Sequence, residues 1–346
     1  MSAILPPSLT THEGLSRLPF YKGLSRIDVA HRDAPQFHAL LHKLRWITPA
    51  FVLRLGDKFG AKTLARTNSP YEAEVAEMAL RLGDGVYTLN TGFEWGCTAY
   101  ARHDHEDQPV LHRVLDWALP MGAYMHVAQY DTRFGDYFDI NWAGNAGMIN
   151  GVAPGRFVIS INQAPVPMHT EMGALGWPVD WAIQRYKTLT SEAWLPAHLL
   201  RHVFENAGDY TEACAILTDT PLSIPVIFTI CGTQKGEVRV IERRENDAHV
   251  LHEGSSCTAN HWQSSSWLGH PRPIKSRDRL AAARKTIQGT FGGHDSWNWL
   301  APPMLNSHSI MAFSANTEGL LNVVALVHTK EGSKPVAAFS LNETRA

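Results

Sequence analysis

The residues best suited to covalent chemistry lie in one stretch, GFEWGCTAYARHDHEDQPVLHRVLDW, from Gly92 to Trp117. Cys97 sits there between Gly96 and Thr98, with Arg113 sixteen positions later and Asp116 nineteen later. An ordinary thiol has a pKa near 8.5, so only a few per cent is thiolate at neutral pH. It becomes a useful nucleophile only beside a base or a cation. Scission of the Gly96–Cys97 bond would give Cys97 a free α-amine. Such an amine titrates at roughly 7.7–8 and suits a general base acting on its own side chain. An aspartate could hold that amine, and an arginine could stabilise the thiolate. Gly96 leaves room for the tight geometry of an N-to-S acyl shift.

These residues need elements to position them. Cys97 to Arg102 and Val110 to Trp117 read as strands, and HDHEDQP between them as a polar turn. The pair therefore reads as a hairpin that folds Arg113 and Asp116 back toward Cys97. Residues three apart point to opposite faces of a regular strand. A bulge or a strand end is expected if both are to reach the cysteine.

Further strands are predicted at Arg156–Asn162, Pro225–Cys231, Glu237–Glu242, Ser309–Ser314, Asn322–Thr329 and Val336–Leu341. Ser69-Pro70-Tyr71-Glu72 reads as a capping box that opens a helix ended by Gly83-Asp84-Gly85. Other helices are predicted at about Pro196–Asn206, at Tyr210–Leu217 with Asp209 and Glu212 as its capping box, and at Ser276 through Ile287. The first forty residues show no clean periodicity, and part of them is expected to be loosely ordered. Strands in hairpins with helices grouped between them argue for an α+β fold rather than parallel βαβ units.

The chain has 346 residues and a formal charge of -2, which gives no argument for nucleic acid or an anionic membrane as partner. Cys97, Cys214, Cys231 and Cys257 are too scattered for a disulfide framework, and none forms a CxxC. Free thiols predict a reducing compartment, hence a cytoplasmic location. No basic start followed by a long apolar run reads as a secretory signal, and no apolar stretch approaches a bilayer span. His103, Asp104, His105 and Glu106 have spacing that could suit a metal, but a solvated turn is the favoured reading, and no metal or organic cofactor is expected. Cys214, Cys231 and Cys257 read as core. The tryptophans read mostly as core, with the apolar loop Met172–Trp181 as a candidate wall of an acyl pocket.

GCTAYA followed by HRVLDW resembles the acid ceramidase and N-acylethanolamine acid amidase family, cysteine N-terminal-nucleophile (Ntn) hydrolases related to the choloylglycine hydrolases. The spacing of Arg113 and Asp116 from Cys97 is that of the family's Cys-Thr strand, turn and Arg-x-x-Asp strand. Asn90-Thr91-Gly92-Phe93-Glu94 is similar to the segment before the family's nucleophile, and GVAPGRFVISINQ, Gly151 to Gln163, to its Gly-x-x-Pro-Gly-x-Phe strand. CTANHW resembles the later Thr-Asn-x-x-Trp motif, with Asn260 in the asparagine's place. The likeness covers roughly residues 70 to 290.

The resemblance implies a four-layer αββα sandwich of two antiparallel sheets, one structural domain overall. It implies a precursor that cuts itself into a helical pro-segment, residues 1–96, and a catalytic part, residues 97–346, with the first kept as a subunit. Cys97 would be nucleophile and base, Asp116 would position its amine, and Arg113 would set its ionisation. Asn260 would donate to the oxyanion, and a late arginine would be Arg277 or Arg279, with the Ser-x-x-Arg-Leu spacing favouring Arg279. This chain departs from the family at Asn162-Gln163, where a glutamate usually follows the asparagine. It departs again at Thr258-Ala259, which separates Asn260 from the threonine.

The expected activity is hydrolysis of linear N-acyl amides, small molecules with a lipid-like acyl group, through an acyl-thioester. The rivals are acyl transfer to another amine and an unprocessed homologue that only binds. A papain-like thiol enzyme lacks a local signature.

Overall fold

The computed structural model describes residues 14–45, 48–92, 96–252, 256–272, 275–288, 297 and 299–342. Before Gly96 the described chain is mainly helical. Strands β1 (Ser16–Arg17) and β2 (Phe20–Lys22) precede α1 (Arg26–Arg32), α2 (Ala34–Leu44), α3 (Ala50–Arg66), α4 (Glu72–Leu82) and α5 (Val86–Thr91). The hairpin follows as β3 (Gly96–His103) and β4 (Pro109–Asp116), then β5 (Met125–Tyr130), β6 (Tyr137–Trp142), β7 (Asn150–Ala153), β8 (Phe157–Gln163) and β9 (Val166–Pro167). Next come α6 (Trp177–Thr190), α7 (Pro196–Asn206) and α8 (Tyr210–Asp219). The chain continues through β10 (Val226–Cys231), β11 (Val238–Arg243), β12 (Ala248–His252), β13 (Ser256–Thr258) and β14 (Gly269–His270). It closes with α9 (Ser276–Ile287), β15 (Ser309–Ala315), β16 (Leu321–Thr329) and β17 (Gly332–Ser340).

One sheet runs β1-β17-β16-β15-β4-β3-β13 and the other β12-β11-β10-β8-β7-β6-β5-β2. Alternation along each strand splits the apolar side chains into three layers. Cys97, Ala101, Leu111 and Leu115 of the hairpin meet Val127, Val158 and Cys231 of the second sheet in the layer between the sheets. Tyr100 and Val114 point the other way and pack under Leu280 and Ala283 of α9. On the far side, Ile159, Ile161, Phe228 and Ile230 pack under Leu199, Val203 and Phe204 of α7 and Leu217 of α8. The order is therefore helix, sheet, sheet, helix. One correction concerns the edges: β1 pairs with β17 and β2 with β5 in parallel, so neither sheet is wholly antiparallel. The physical reason is connectivity. These strands join the sheets through the N-terminal segment rather than through a hairpin, and only a tight turn forces neighbours to be antiparallel.

Other expectations shift locally. Asp209 caps α8 by accepting from the Glu212 N–H at 2.8 Å, while the Glu212 carboxylate accepts from Gly208 N–H at 2.8 Å. Ser69 does not open a helix at Pro70. Its Oγ lies 2.8 Å from His198 Nδ1, and α4 begins at Glu72 after a turn. Gly83 does end α4, with φ 86°. The first forty residues are helical from Arg26, with Phe37, Leu40 and Leu44 buried on one side of α2. The apolar loop expected at Met172–Trp181 is instead a 3₁₀ turn running into α6, with Met172, Leu175, Trp177 and Trp181 on the outer surface.

The N-terminal segment is built into the body. Leu18, Phe37, Leu64, Val75 and Val86 share the inter-sheet layer with Cys97 and Leu115. Asn90 clamps the loop between β6 and β7, donating to Gly144 O at 2.7 Å and accepting from Ala146 N–H at 2.8 Å. Phe93 and Glu94, part of the stretch before the cysteine, lie outside the described residues.

Candidate active site

The hairpin register puts Cys97 opposite Leu115, Arg113 opposite Ala99, and Asp116 opposite Gly96. Cys97 is fully buried and its side chain enters the inter-sheet layer. Arg113 enters the same layer and donates from Nη2 to Cys97 Sγ at 3.1 Å. Its guanidinium is locked by donation to Ile149 O at 2.8 Å, to Ile161 O at 2.5 Å, and to Asn150 Oδ1. Such a fork, held at several points, cannot swing away from the sulfur.

Asp116 stands on the opposite face, where α9 lies. Arg279 of α9, also fully buried, donates to the Cys97 carbonyl, to Thr98 Oγ1 at 2.7 Å and to Asn260 Oδ1 at 2.8 Å. It is 3.5 Å from Asp116 Oδ2. The cluster thus straddles β3: sulfur and Arg113 on one face, Asp116 and Arg279 on the other. No bulge between β3 and β4 is needed, because the peptide edge of the strand is reached from both sides. A register shift does occur in the next strand, between Ser309 and Met311, where Ser309 Oγ donates to Asp116 Oδ1 at 2.7 Å.

Asn260 holds the backbone of the cysteine. Its Oδ1 accepts from Cys97 N–H at 2.7 Å, and its Nδ2 donates to Gln163 O at 2.8 Å. Its own N–H donates to Ser276 Oγ at 2.8 Å, which ties it to the start of α9. An amide NH₂ carries two hydrogens, so one remains beyond the Gln163 bond.

The electrostatics of the intact chain oppose reaction. Burial pushes the Cys97 thiol up, against the pull of the Arg113 guanidinium. Burial also raises the Asp116 carboxyl, against Arg279 and Ser309, and lowers the Arg279 guanidinium, against Asp116. All three move toward their neutral forms. Asp116 Oδ2 is buried and has no hydrogen-bond partner among the described residues.

Five residues singled out in the sequence, Cys97, Arg113, Asp116, Asn260 and Arg279, therefore meet around one peptide unit. Arg277 is not among them; it is exposed on the far side of α9. Ser276, Ser309 and Asn150 were not foreseen, since a lone serine or asparagine carries no pattern. A cavity of about 20 Å³ is lined in part by Gln163, Trp181, Gln184, Arg185 and Arg272. Asp104 accepts from the N–H groups of Glu106 and Gln108 at 2.7 and 2.9 Å, so the HDHE turn is a backbone turn. No group of three candidate metal ligands occurs among the described residues. Cys214, Cys231 and Cys257 are buried, as expected of core thiols.

The chain is 31% identical over 272 residues to the acid ceramidase of Balaenoptera acutorostrata scammoni, covering 69% of this chain and 66% of that protein. It is 24% identical over 282 residues to that of Bos taurus, covering 72% of this chain and 68% of the relative. The chain belongs to the acid ceramidase family. No model of a protein family matches it. Among solved structures, the Caenorhabditis elegans N-acylethanolamine-hydrolyzing acid amidase ortholog superposes with a TM-score of 0.52 at 18% identity, over 64% of this chain and 93% of that one. That likeness places the sandwich among the Ntn-hydrolase folds. As a member of the acid ceramidase family, the protein is an N-acyl amide hydrolase, acting on carbon–nitrogen bonds of linear amides other than peptide bonds.

Proposed function

We propose that this amidase is made as a precursor, cuts its own Gly96–Cys97 bond, and then hydrolyses N-acyl amides with lipid-like acyl groups through a thioester on Cys97. The observation that carries the reading is the set of groups around one peptide unit. Its sulfur, carbonyl and N–H are each held by a separate buried side chain: Arg113, Arg279 and Asn260.

In the first step Cys97 Sγ attacks the Gly96 carbonyl carbon, the C–N bond breaks, and the nitrogen takes the thiol proton. Water then cleaves the Gly96 thioester, leaving a carboxylate on Gly96 and an α-amine on Cys97. Asp116 Oδ2 faces Arg279 at 3.5 Å without a hydrogen bond among the described residues, and an α-ammonium at Cys97 would supply both hydrogens and charge there. In turnover the amine takes the thiol proton, Sγ attacks the amide carbonyl, and the second Asn260 Nδ2 hydrogen stabilises the oxyanion. The amine returns the proton to the leaving nitrogen. Water releases the acyl group as a carboxylate and restores the thiol. Arg113 steadies the sulfur as it gains charge.

Two features support retention of residues 1–96 after the cut. Leu18, Phe37, Leu64 and Val75 are buried in the shared core, and Glu74 pairs with Arg201 of α7. The lipid-like substrate is supported by the ceramidase relatives.

N-terminal sequencing and intact mass of the purified protein test the first half; the expected new terminus is Cys-Thr-Ala-Tyr. Release of free acid from an N-acylethanolamine or ceramide tests the second. An uncleaved chain that turns over would overturn the mechanism.

A further inference from the structure

A groove runs beside α9 to the edge of the second sheet. At one end is a cleft of about 440 Å³ whose lining includes Arg277, Arg284, Lys285 and His261. At the other is a cleft of about 400 Å³ lined in part by Val240, Leu251, Cys257 and Ile287. Arg284 and Gln288 line both. Each volume falls in the range of about 300–1,000 Å³ usual for ligand sites. Among the described residues no carboxylate lines either cleft.

The head of this groove is ordered by hydrogen bonds. Arg284 donates from Nη2 to Gln263 Oε1 at 2.7 Å, and Gln263 in turn donates to Cys257 O at 2.9 Å. The arginine is thereby fixed at the junction of the two clefts. Ser276 Oγ, which accepts from Asn260 N–H, also lies 2.8 Å from His261 Nδ1. Burial, with Arg277, Arg279 and Arg284 around it, lowers the His261 pKa to about 4. A basic head joined to a cleft with Val240, Leu251 and Ile287 in its wall matches a molecule with an anionic head and a hydrocarbon tail.

We infer that this groove binds a long-chain carboxylate, with its head on Arg284, Arg277 and Lys285 and its chain against Val240, Leu251 and Ile287. The choice of carboxylate rests on the amidase reading above, because hydrolysis of a lipid-like amide releases that class of molecule. Among the described residues, its lining includes none of Cys97, Arg113, Asp116 or Asn260.

The test is titration calorimetry of laurate, below its micellar concentration, into the intact Cys97→Ala chain. The expected result is saturable one-site binding, weakened at least tenfold by Arg284→Ala and by Ile287→Asp, and largely kept by Arg284→Lys. Dodecanol should bind at least tenfold more weakly than laurate. Laurate should also raise the His261 pKa, read by NMR, because a carboxylate offsets the surrounding arginines. Equal binding of dodecanol, or binding indifferent to both Arg284→Ala and Ile287→Asp, would overturn the proposal. Since the Cys97→Ala chain does no chemistry, failure here says nothing against thioester hydrolysis, and failure of hydrolysis leaves the binding result intact.

Discussion

Two buried clusters of charge in this molecule behave in opposite ways. One joins the N-terminal helices to the second sheet and α7. There Arg26 pairs with Asp139 at 2.5 Å, and Arg201 pairs with Glu205 at 2.7 Å and with Glu74. Its groups move toward their charged forms: Arg26 and Arg201 are raised, and Glu205 is lowered. In the cluster around Cys97, the thiol, Asp116 and Arg279 all move toward neutrality, and the carboxylate–guanidinium approach is 3.5 Å. Burial acts against charge in both places. In the first, close opposite charges outweigh it; in the second, they do not. The first cluster is closed by short ion pairs as the chain is made, whereas in the second Arg279 approaches Asp116 only to 3.5 Å. Scission before Cys97 would add an α-ammonium there.

The difference can be broken or sharpened by substitution. Cys97→Ala has the largest expected effect: no cleavage by intact mass and no hydrolysis above background, with the fold retained. A cleaved Cys97→Ala chain would be a serious contradiction. Arg201→Ala should act only on stability. It strands Glu74 and Glu205 and should cost about 3–5 kcal/mol in denaturant unfolding, while cleavage still occurs in the protein that folds. Asn260→Ala should reverse that pattern. Turnover should fall about 10²–10³-fold, equivalent to about 2.7–4 kcal/mol of barrier, in a rate assay of cleaved enzyme.

Acid should expose a third effect. His198 is held to about 3 by burial, beside Arg201 and Arg26. The ring in the unfolded chain titrates near 6.5, so the unfolded state takes up the proton first as pH falls. The stability due to neutral His198 is therefore full above about pH 6.5 and is lost from there down toward 3. The loss is about 1.4 kcal/mol per pH unit. Denaturant midpoints at pH 7, 6 and 5 measure it, and His198→Asn should flatten the slope. The smallest stability change belongs to Asp116→Asn. Removing a carboxyl that burial already disfavours should alter unfolding by no more than about 1 kcal/mol, while cleavage slows sharply. A loss as large as that of Arg201→Ala would erase the contrast between the clusters.

The same polar burial explains what the sequence concealed. β5 and β6 escaped notice because His126, Asp139 and Asn141 interrupt their apolar pattern. Each is buried, and the first two are answered by Asp33 and Arg26 from far earlier in the chain. α3 was obscured for another reason: Phe51, Leu55 and Phe59 face outward while Leu53 and Leu64 face inward, so no single apolar stripe stands out. By contrast β8, β10, β15 and β16 are largely apolar runs and were legible within a few residues at their ends, whereas the Gly-Ser-Lys-Pro start of β17 was not.

By itself the sequence determined the hairpin and the residue types that gather at its base. Those follow from local alternation, one polar turn and the spacing of Cys97, Arg113 and Asp116. Only the tertiary structure decided which arginine of SRDRL turns inward, because both lie on α9 and packing on β3 buries one side of that helix. It also decided that Arg279 meets Asp116, and that Asn260 holds the cysteine N–H. These are contacts between segments more than 150 positions apart, and local pattern carries no information about partners at that range. Chain connectivity supplies the groups; close packing of two sheets and a helix sets which atoms they meet.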